Sequence, residues 1–239
     1  MCKGGKVKVN QKVGRYTVTE VITDSTAYCR QVDHGTEWFI KFLKEDSREV
    51  DYLKLLDHCR IPRVIDVYTK DEGVYYIMDQ VRGVTLYERL KLKDITYKEM
   101  IQSTIHLCQI LEHLHCMNVV HGDIKLENLV FDEQFGIHLI DFGSAFMEND
   151  SDSFTMDFVA PERLLDTYLA DERSDIYCLG LVMKIMLRHV KKRTIKELFY
   201  FIRLCKLKRI IKKAIMVQPE RRYQSATDLK ESLIHLKFA

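Results

Sequence analysis

The stretch HGDIKLEN, residues 121–128, lies between two short apolar runs, NVV before it and LVF after it. We call this stretch the HGD loop. The flanking runs predict short buried strands, so the loop is expected to be a turn between them. It brings Asp123, Lys125 and Asn128 close together in sequence. A carboxylate, an ammonium group and an amide in one turn suit proton transfer or metal binding.

A second carboxylate, Asp141, follows two more predicted strands, LVFDE and IHLIDF, which flank a turn at Gly136. A β-hairpin would return the chain so that Asn128 and Asp141 lie at the same end. One amide oxygen and one carboxylate are ligands that Mg²⁺ accepts beside phosphate oxygens. Asp123 would then orient a hydroxyl and take its proton, and Lys125 would neutralise charge on a transferred group.

Composition sets the broad class. The chain has 239 residues, of which 46% are apolar, enough for a large core in one domain or two small lobes. The formal net charge of +2 excludes a wholly basic nucleic-acid binder and an acidic disordered chain. With three prolines and ten glycines, the sequence shows no low-complexity linker.

The seven cysteines are scattered and form no C-x-x-C pair, which favours reduced thiols over a disulfide framework or a zinc site. The first residues lack the apolar core of a secretory signal. The longest apolar stretch has 12 residues and contains Lys184, so it is too short to span a bilayer. These features predict a cytoplasmic protein.

Periodicity divides the chain into two parts. The first 80 residues read β-β-β-α-β-β, with a hairpin signal at residues 33–35. Their helix is expected within residues 45–59, with Val50, Leu53 and either Leu56 or Cys59 on its buried face.

After Gly83 the pattern is mainly helical, with a long amphipathic helix over 97–118 and helices from about 161 to 239. A β-rich part followed by a helix-rich part predicts an α+β fold, with ligands in the cleft between the two.

These motifs, taken in chain order, resemble those of eukaryotic-type (Hanks-type) serine/threonine protein kinases. The HGD loop resembles the catalytic loop H-R-D-x-K-x-x-N, DFG stands at 141–143 and APE at 160–162. The resemblance covers nearly the whole chain. It implies a single kinase domain over 1–239, with the bilobal fold: a β-rich N-lobe (1–81) with one main helix, and a mostly helical C-lobe (82–239), shortened at its C-terminal end.

In the N-lobe, the resemblance assigns nucleotide contacts. WFIKFL is similar to the strand whose lysine contacts the α- and β-phosphates of ATP, which makes Lys41 that lysine. Glu49 on the following helix would be its ion-pair partner. YYIMDQV resembles the hinge, with Met78 as gatekeeper and Asp79 and Val81 beside adenine.

In the C-lobe, the resemblance implies that Asn128 and Asp141 bind Mg²⁺ and that Asp123 orients the hydroxyl nucleophile. Lys125 would stabilise charge on the γ-phosphoryl group. Thr155, in TMDFVAPE, would contact both Asp123 and Lys125, which is the serine/threonine signature.

Further motifs imply structural contacts in the C-lobe. Asp175, in SDIYCLG, should brace the backbone of the HGD loop, and Arg222, in QPERRYQSA, should pair with Glu162. His121 is expected to pack against Phe142 of the DFG motif.

The first departure from the family is the glycine-rich loop, since no glycine occurs between Gly14 and Gly35. Two interpretations remain open. The hydroxyls of Ser25 and Thr26 could partly replace glycine in a phosphate-binding turn, or the turn could have lost the ability to bind phosphate.

The second departure is Gly122, which stands where the family has an arginine that reads activation-loop phosphate. The segment from Asp141 to Glu162 is short and acidic, with 22 residues. We therefore expect a constitutively ordered segment and no activation by phosphate through that route.

The third unusual feature is charge. Residues 184–213 carry twelve Lys or Arg and one acid, whereas the rest has 25 basic and 34 acidic residues. These cations could be solvated helix faces, could hold the acidic segment in place, or could dock an acidic protein, nucleic acid or anionic membrane. Nucleic acid is the less favoured partner.

Two rival functions remain. HGD with Asn at this spacing also resembles aminoglycoside and choline kinases, although Thr155, Glu162 and Arg222 favour a protein substrate. The missing glycines suit a pseudokinase that regulates a partner by binding, although the intact residues Lys41 and Asp123 oppose it.

Overall fold

The computed structural model divides into two compact units, Met1–Val81 and Arg82–Ala239. The first is β-rich and the second mainly helical, which confirms the predicted α+β class of the bilobal kinase-like fold. The residues that the structure describes are 7–32, 35–44, 47–70, 73–93, 95–134, 136–147, 159–164, 170–190 and 198–238.

The first unit is one antiparallel sheet with a single described helix. Its elements are β1 (Lys12–Val13), β2 (Tyr16–Val21), β3 (Thr26–Gln31), β4 (Glu37–Lys44), α1 (Glu49–Leu55), β5 (Val64–Lys70) and β6 (Gly73–Met78). The strands lie in the order β1-β2-β3-β4-β6-β5, so β4 is central. The predicted order β-β-β-α-β-β is confirmed, with β1 as an addition. Alternate residues of the strands form the core, among them Val18, Ala27, Cys29, Ile40 and Ile77.

Helix α1 is shorter than the sequence suggested. Ser47 accepts a hydrogen bond from the Glu49 N–H (3.4 Å), which favours a turn just before the helix. At the other end Leu56 is extended and stops it. Leu56 is buried, whereas Cys59 is an exposed thiol beyond the helix, so Leu56 is the correct member of the predicted pair.

The hairpin turn predicted at 33–35 lies partly outside the described residues. Strands β3 and β4 on either side of it pair antiparallel, for example Arg30 with Glu37, as a hairpin requires. The same pairing places Thr26, the first residue of β3, opposite Lys41.

The second unit is built around one long helix. Its elements are β7 (Val84–Thr85), α2 (Leu86–Lys91), α3 (Tyr97–Cys116), β8 (Val119–Val120), β9 (Leu129–Phe131), β10 (Ile137–Leu139), β11 (Phe146–Met147), α4 (Glu172–His189), α5 (Leu198–Ala214) and α6 (Ala226–Phe238). Helix α3 packs against α4 and α6. Its buried stripe includes Leu107, Cys108, Ile110, Leu111 and Leu114. Short 3-10 helices span Leu126–Asn128, Pro161–Leu164 and Pro219–Arg221.

Helix α2 and the two-residue strands β1, β7 and β11 were not predicted, whereas the run NVV before the HGD loop correctly predicted the buried strand β8. Both α2 and α3 begin with a capping box, in which Thr85 and Thr96 accept hydrogen bonds from the backbone N–H of Glu88 and Glu99. Within the described residues, no helix is long and apolar enough to cross a membrane.

Candidate active site

The hairpin of β9 and β10 brings the two ends of the HGD–DFG stretch together. Leu129 pairs with Leu139, and the Ile140 N–H donates to the Asn128 carbonyl (3.0 Å). Asp141 therefore follows at the same end of the hairpin as Asn128, as the sequence predicted. Asp141 has a φ of 64°, in the left-handed region that costs a non-glycine residue energy and that is typical of functional sites.

Within the HGD loop, the Asp123 carboxylate is held on one side. Its Oδ2 accepts hydrogen bonds from Lys125 Nζ (2.6 Å) and Asn128 Nδ2 (3.0 Å). Asn128 Nδ2 also donates to the Asp123 carbonyl (2.9 Å). None of the described residues donates a hydrogen bond to Asp123 Oδ1. One oxygen of a buried carboxylate is thus oriented and the other is available to a hydroxyl.

The same bonds fix the direction of the Asn128 amide. Because its nitrogen donates to Asp123, its oxygen Oδ1 points the other way and takes no hydrogen bond from the described residues. An amide oxygen beside the end of the hairpin that carries the Asp141 carboxylate is a donor set that fits Mg²⁺ with phosphate and water completing the shell. No cluster of three His, Cys, Asp or Glu that could hold a metal occurs in the part of the chain that the structure describes.

Asp175 on α4 braces the loop backbone, as predicted. Its Oδ2 accepts from the His121 N–H (2.9 Å) and its Oδ1 from the Gly122 N–H (3.0 Å). The His115 ring also bonds Oδ2 (3.0 Å), a contact that the sequence analysis missed. Complete burial raises the pKa of this carboxyl, but His115, His121 and the Gly122 N–H outweigh burial and hold the pKa below its usual value.

The His121 ring packs edge-on against Phe142 of the DFG motif, with ring centroids 4.7 Å apart, as predicted. Burial lowers the pKa of His121, although Asp175, Asp123 and Asp141 act in the opposite direction. The ring is therefore neutral near pH 7 and serves as packing below the loop.

Glu162 and Arg222 form the predicted ion pair, and it is bidentate, with distances of 2.7 and 2.5 Å. Ser174 Oγ adds a hydrogen bond to Glu162 (2.9 Å). Arg222 is buried and also donates to the backbone carbonyls of Met216, Val217 and Arg173. A buried pair with its remaining donors satisfied fixes the segment that carries APE to α4 and to the chain before α6.

Arg163, which sequence reasoning did not single out, also contacts the loop. Its Nη1 donates to the Gly122 carbonyl (2.5 Å), and its guanidinium lies over the Phe146 ring, 4.9 Å from the centroid. Its acceptor is a backbone oxygen, which any residue provides, so no sequence pattern marks the contact.

In the first unit, Lys41 and Glu49 form the predicted ion pair. Lys41 Nζ donates to Glu49 Oε1 (2.8 Å), and the Tyr76 hydroxyl donates to the same oxygen (2.7 Å). Strand register explains the arrangement, because Tyr76 on β6 lies directly opposite Lys41 on β4. The Glu49 side chain is 1% exposed and that of Lys41 15%, so the pair is largely shielded from water.

The turn at residues 22–25 joins β2 and β3, and both backbone and hydroxyl groups close it: the N–H groups of Ile22 and Thr23 donate to the Thr26 carbonyl (3.0 Å each). Thr23 Oγ1 accepts from the N–H groups of Ser25 (3.3 Å) and Thr26 (3.1 Å) and lies 2.7 Å from Thr26 Oγ1. The Ser25 carbonyl accepts from the Phe42 N–H (2.7 Å). Thr23 thus contributes the side-chain contacts of the turn, with Ser25 in the turn and Thr26 at the start of β3.

The predicted hinge residues follow β6. Met78 ends the strand and is buried. The Asp79 carboxylate accepts from Arg63 Nε (3.0 Å) and its N–H donates to the Arg63 carbonyl (3.0 Å). In the described residues, no hydrogen bond engages the Asp79 carbonyl or the Val81 N–H.

Thr155 lies outside the described residues. Lys125, which was expected to share it with Asp123, contacts Asp123 directly. Cys29 is buried beneath the sheet, which raises its pKa to about 12 and leaves it an unreactive thiol.

The family model described as "Protein kinase domain" matches residues 11–237. The chain is 31% identical over 159 residues to calcium-dependent protein kinase 3 of Plasmodium yoelii yoelii, covering 62% of the chain and 29% of that protein. It is 31% identical over 192 residues to ribosomal protein S6 kinase 2 alpha of Xenopus laevis, covering 72% and 26%. It is 26% identical over 218 residues to the serine/threonine-protein kinase PrkC of Bacillus subtilis (strain 168), covering 81% and 34%. The chain thus spans about a quarter to a third of the length of these curated relatives.

Proposed function

Because the chain belongs to the protein kinase domain family, we propose that it is an ATP- and Mg²⁺-dependent serine/threonine protein kinase. The observation that carries this proposal is the Asp123 carboxylate. One of its oxygens is held by Lys125 and Asn128, and the other takes no hydrogen bond from the described residues. That is the geometry of a base that orients a hydroxyl.

In the proposed reaction, the substrate hydroxyl gives its proton to Asp123 Oδ1 as its oxygen bonds to the γ-phosphorus. The bond between that phosphorus and the bridging oxygen breaks, and ADP leaves. Lys125 stabilises negative charge on the transferred group. Asn128 Oδ1 and the Asp141 carboxylate would hold Mg²⁺, which when bound supplies charge neutralisation on the phosphate oxygens. The loop's part is positioning, which is most of what phosphoryl transfer requires.

The nucleotide side of the proposal rests on the first unit. Lys41, held by Glu49, would contact the α- and β-phosphates, and the shielding of this pair supports a fixed lysine. The Asp79 carbonyl and the Val81 N–H would bind adenine beside Met78. Ser25 and Thr26 would approach the phosphates from the 22–25 turn through their hydroxyls.

A protein substrate is favoured over a small alcohol. The Glu162–Arg222 pair anchors a segment of the kind that presents protein substrates, which supports the argument from the APE motif. The pseudokinase alternative is disfavoured because Asp123, Lys125 and Asn128 are all present and hydrogen-bonded to one another. The cysteines that the structure describes are free thiols, which supports a reducing, cytoplasmic setting for the reaction.

The basic segment of α4 and α5 supports a partner proposal. Its exposed cations make no ion pair with any described residue. They are Lys184, Arg188, Lys206, Lys208, Arg209, Lys212 and Lys213. Four of them line a groove of about 400 Å³ whose apolar residues are Leu187, Ile211 and Ile215.

We assign this groove to an acidic protein segment with aliphatic side chains, since cations around an aliphatic floor complement both features. Among the described residues, the lining has no aromatic ring on which a base could stack, which argues against single-stranded nucleic acid. The concave shape argues against a flat bilayer. Reversal of charge by Lys208→Glu with Lys212→Glu should abolish salt-sensitive binding of an acidic peptide, whereas Lys206→Glu, outside the groove, should weaken it only slightly. Equal losses in both variants would contradict the assignment.

One assay tests the main proposal. The protein is incubated with labelled ATP and Mg²⁺ together with generic protein substrates or small alcohols, beside an Asp123→Ala control. Label on protein that disappears in the control supports a protein kinase. Label on the alcohols alone would identify a small-molecule kinase. Absence of transfer and of any ATP-induced thermal shift would leave the pseudokinase.

A further inference from the structure

Gly122, the residue just before Asp123, is held from two sides by charged groups. Its N–H donates to Asp175 Oδ1 (3.0 Å), and its carbonyl accepts from Arg163 Nη1 (2.5 Å). Both side chains are buried. Hydrogen bonds with one charged partner are stronger than neutral ones. The Gly122 carbonyl belongs to the peptide that joins Gly122 to Asp123, so Arg163 fixes the plane from which the Asp123 side chain starts.

The space beside Gly122 is already filled. A Cβ on this residue would lie 2.5 Å from the Ser144 carbonyl oxygen, 2.8 Å from Arg163 Nη1 and 3.2 Å from Phe146 Cε1. Its φ of 74° is also in the region that favours glycine. A side chain at position 122 is therefore incompatible with this arrangement, and the guanidinium of Arg163 lies where such a side chain would begin.

Arg163 is itself well anchored. It follows Glu162, whose carboxylate is held by Arg222 and Ser174. The aromatic ring beneath its guanidinium belongs to Phe146 of β11, which pairs with Val120 of β8, immediately before the HGD loop. Arg163 thus joins three points: the segment that ends at APE, the strand after DFG, and the loop that carries Asp123.

We propose that Arg163 is a positioning residue that holds the HGD loop in its working geometry without a phosphate. The arginine that the family places at position 122 is absent here. Arg163, which lies after the loop in the chain, supplies a guanidinium to the same loop. It binds the Gly122 backbone carbonyl, a group that every residue has. The effect on turnover rests on the proposed kinase activity, whereas the effect on the loop does not.

The test uses Arg163→Met, which keeps an unbranched apolar stem but removes the guanidinium, and Arg163→Lys, which keeps a cationic donor group. Turnover of Arg163→Met should fall about ten- to a hundredfold, as expected for a lost charged hydrogen bond. The KM for ATP should change less than about twofold, because the nucleotide contacts proposed for the first unit are untouched. Arg163→Lys should recover most of the turnover, and phosphatase treatment of the wild type should change nothing.

Hydrogen exchange measures how firmly Arg163 holds the HGD loop, independently of activity. Arg163→Met should speed amide exchange in peptides covering residues 119–128 and leave those covering 26–44 unchanged, with Arg163→Lys intermediate. Unchanged exchange at 119–128 would overturn the proposal even if the wild type is an active kinase. Equal loss of turnover in the Met and Lys variants would point to general packing and would also overturn it. So would a wild type that phosphatase inactivates through a phosphate bound at Arg163. If the wild type transfers no phosphoryl group, the proposed function fails and the exchange result alone decides this inference.

Discussion

The HGD loop of the second unit and the 22–25 turn of the first unit are both proposed to act on phosphate, but they are held in different ways. Buried charged groups fix the HGD loop: Asp175 on its N–H groups, Arg163 on its carbonyl. The turn is closed by neutral contacts: backbone hydrogen bonds from Ile22 and Thr23 to the Thr26 carbonyl, and the exposed Thr23 hydroxyl. Buried charged contacts are costly to break, whereas exposed neutral ones contribute little. The difference indicates that the position of the proposed base is fixed more rigidly than the turn that is proposed to approach the nucleotide.

The largest effect is expected at Asp123 of the HGD loop. In Asp123→Asn the shape is kept but the proton acceptor is lost, so we expect kcat to fall by about 10²- to 10⁴-fold. Initial rates with a protein substrate measure the loss. Thermal unfolding with Mg²⁺ and ATP serves as the control, since nucleotide binding should persist. A kcat within tenfold of the wild type would show that Asp123 is not the base.

The next largest effect should be on stability, at the Glu162–Arg222 pair. Arg222→Met leaves the buried Glu162 charge without its partner, and we expect a loss of about 3–5 kcal/mol in the free energy of unfolding. Urea denaturation measures it. The double variant Glu162→Leu, Arg222→Met removes both charges and should be less destabilised than the single one. A double variant as unstable as the single one would argue that packing and not charge is lost.

Stability should also fall as the pH is lowered, with a first loss that begins at about pH 6.5 and a second that begins at about pH 4. His121 has a lowered pKa in the folded state, so the unfolded chain binds its proton first. Stability is complete above about pH 6.5 and falls below it, down to the folded pKa. Asp175, also with a lowered pKa, contributes above its unfolded value near 4, and that contribution is lost as the pH falls through the folded pKa.

Each step should have a slope of up to about 1.4 kcal/mol per pH unit for one proton. Urea denaturation from pH 8 to pH 3 measures both. His121→Phe should remove the upper step and keep the lower one. An upper step that survives in that variant would assign it to another group.

The smallest effect is expected at the 22–25 turn. Thr23→Val keeps the volume but removes the acceptor of the Ser25 and Thr26 N–H groups, which should cost about 0.5–1.5 kcal/mol. Because the contact is exposed and local, we expect a KM for ATP raised a few-fold and an unchanged kcat. Steady-state kinetics measure both, with Thr69→Val on β5 as the matched control. A large fall in kcat would mean that the turn contributes to the chemistry as strongly as the HGD loop does.

The sequence predicted those parts of the site that depend on regular register or on paired charges. The β9–β10 hairpin follows from alternation around Gly136, and it brings Asn128 and Asp141 to one end. The Lys41–Glu49 and Glu162–Arg222 pairs follow from the family motifs. In both ion pairs the two side chains have opposite charges, so the pairing can be recognised in the sequence.

What the sequence did not predict depends on the backbone. Arg163 donates to a backbone carbonyl, and Thr23 accepts from backbone N–H groups. Every residue type offers these backbone groups, so the sequence does not show which one is used. Strand β11 has two residues, too few to show a period. Helix α1 stops before Cys59 because Leu56 is extended, which its apolar spacing does not reveal.

Gly122 has a consequence for how this chain can change over generations. An arginine introduced at that position would place its Cβ 2.5 Å from the main-chain oxygen of Ser144. A smaller neighbouring side chain would not relieve this contact, because the oxygen belongs to the backbone. Replacing Arg163 as well would clear the guanidinium but not that oxygen. Intermediates between this arrangement and a phosphate-regulated one are therefore expected to be poorly folded in the HGD loop. Regulation through an arginine at position 122 is consequently difficult to acquire by single mutational steps.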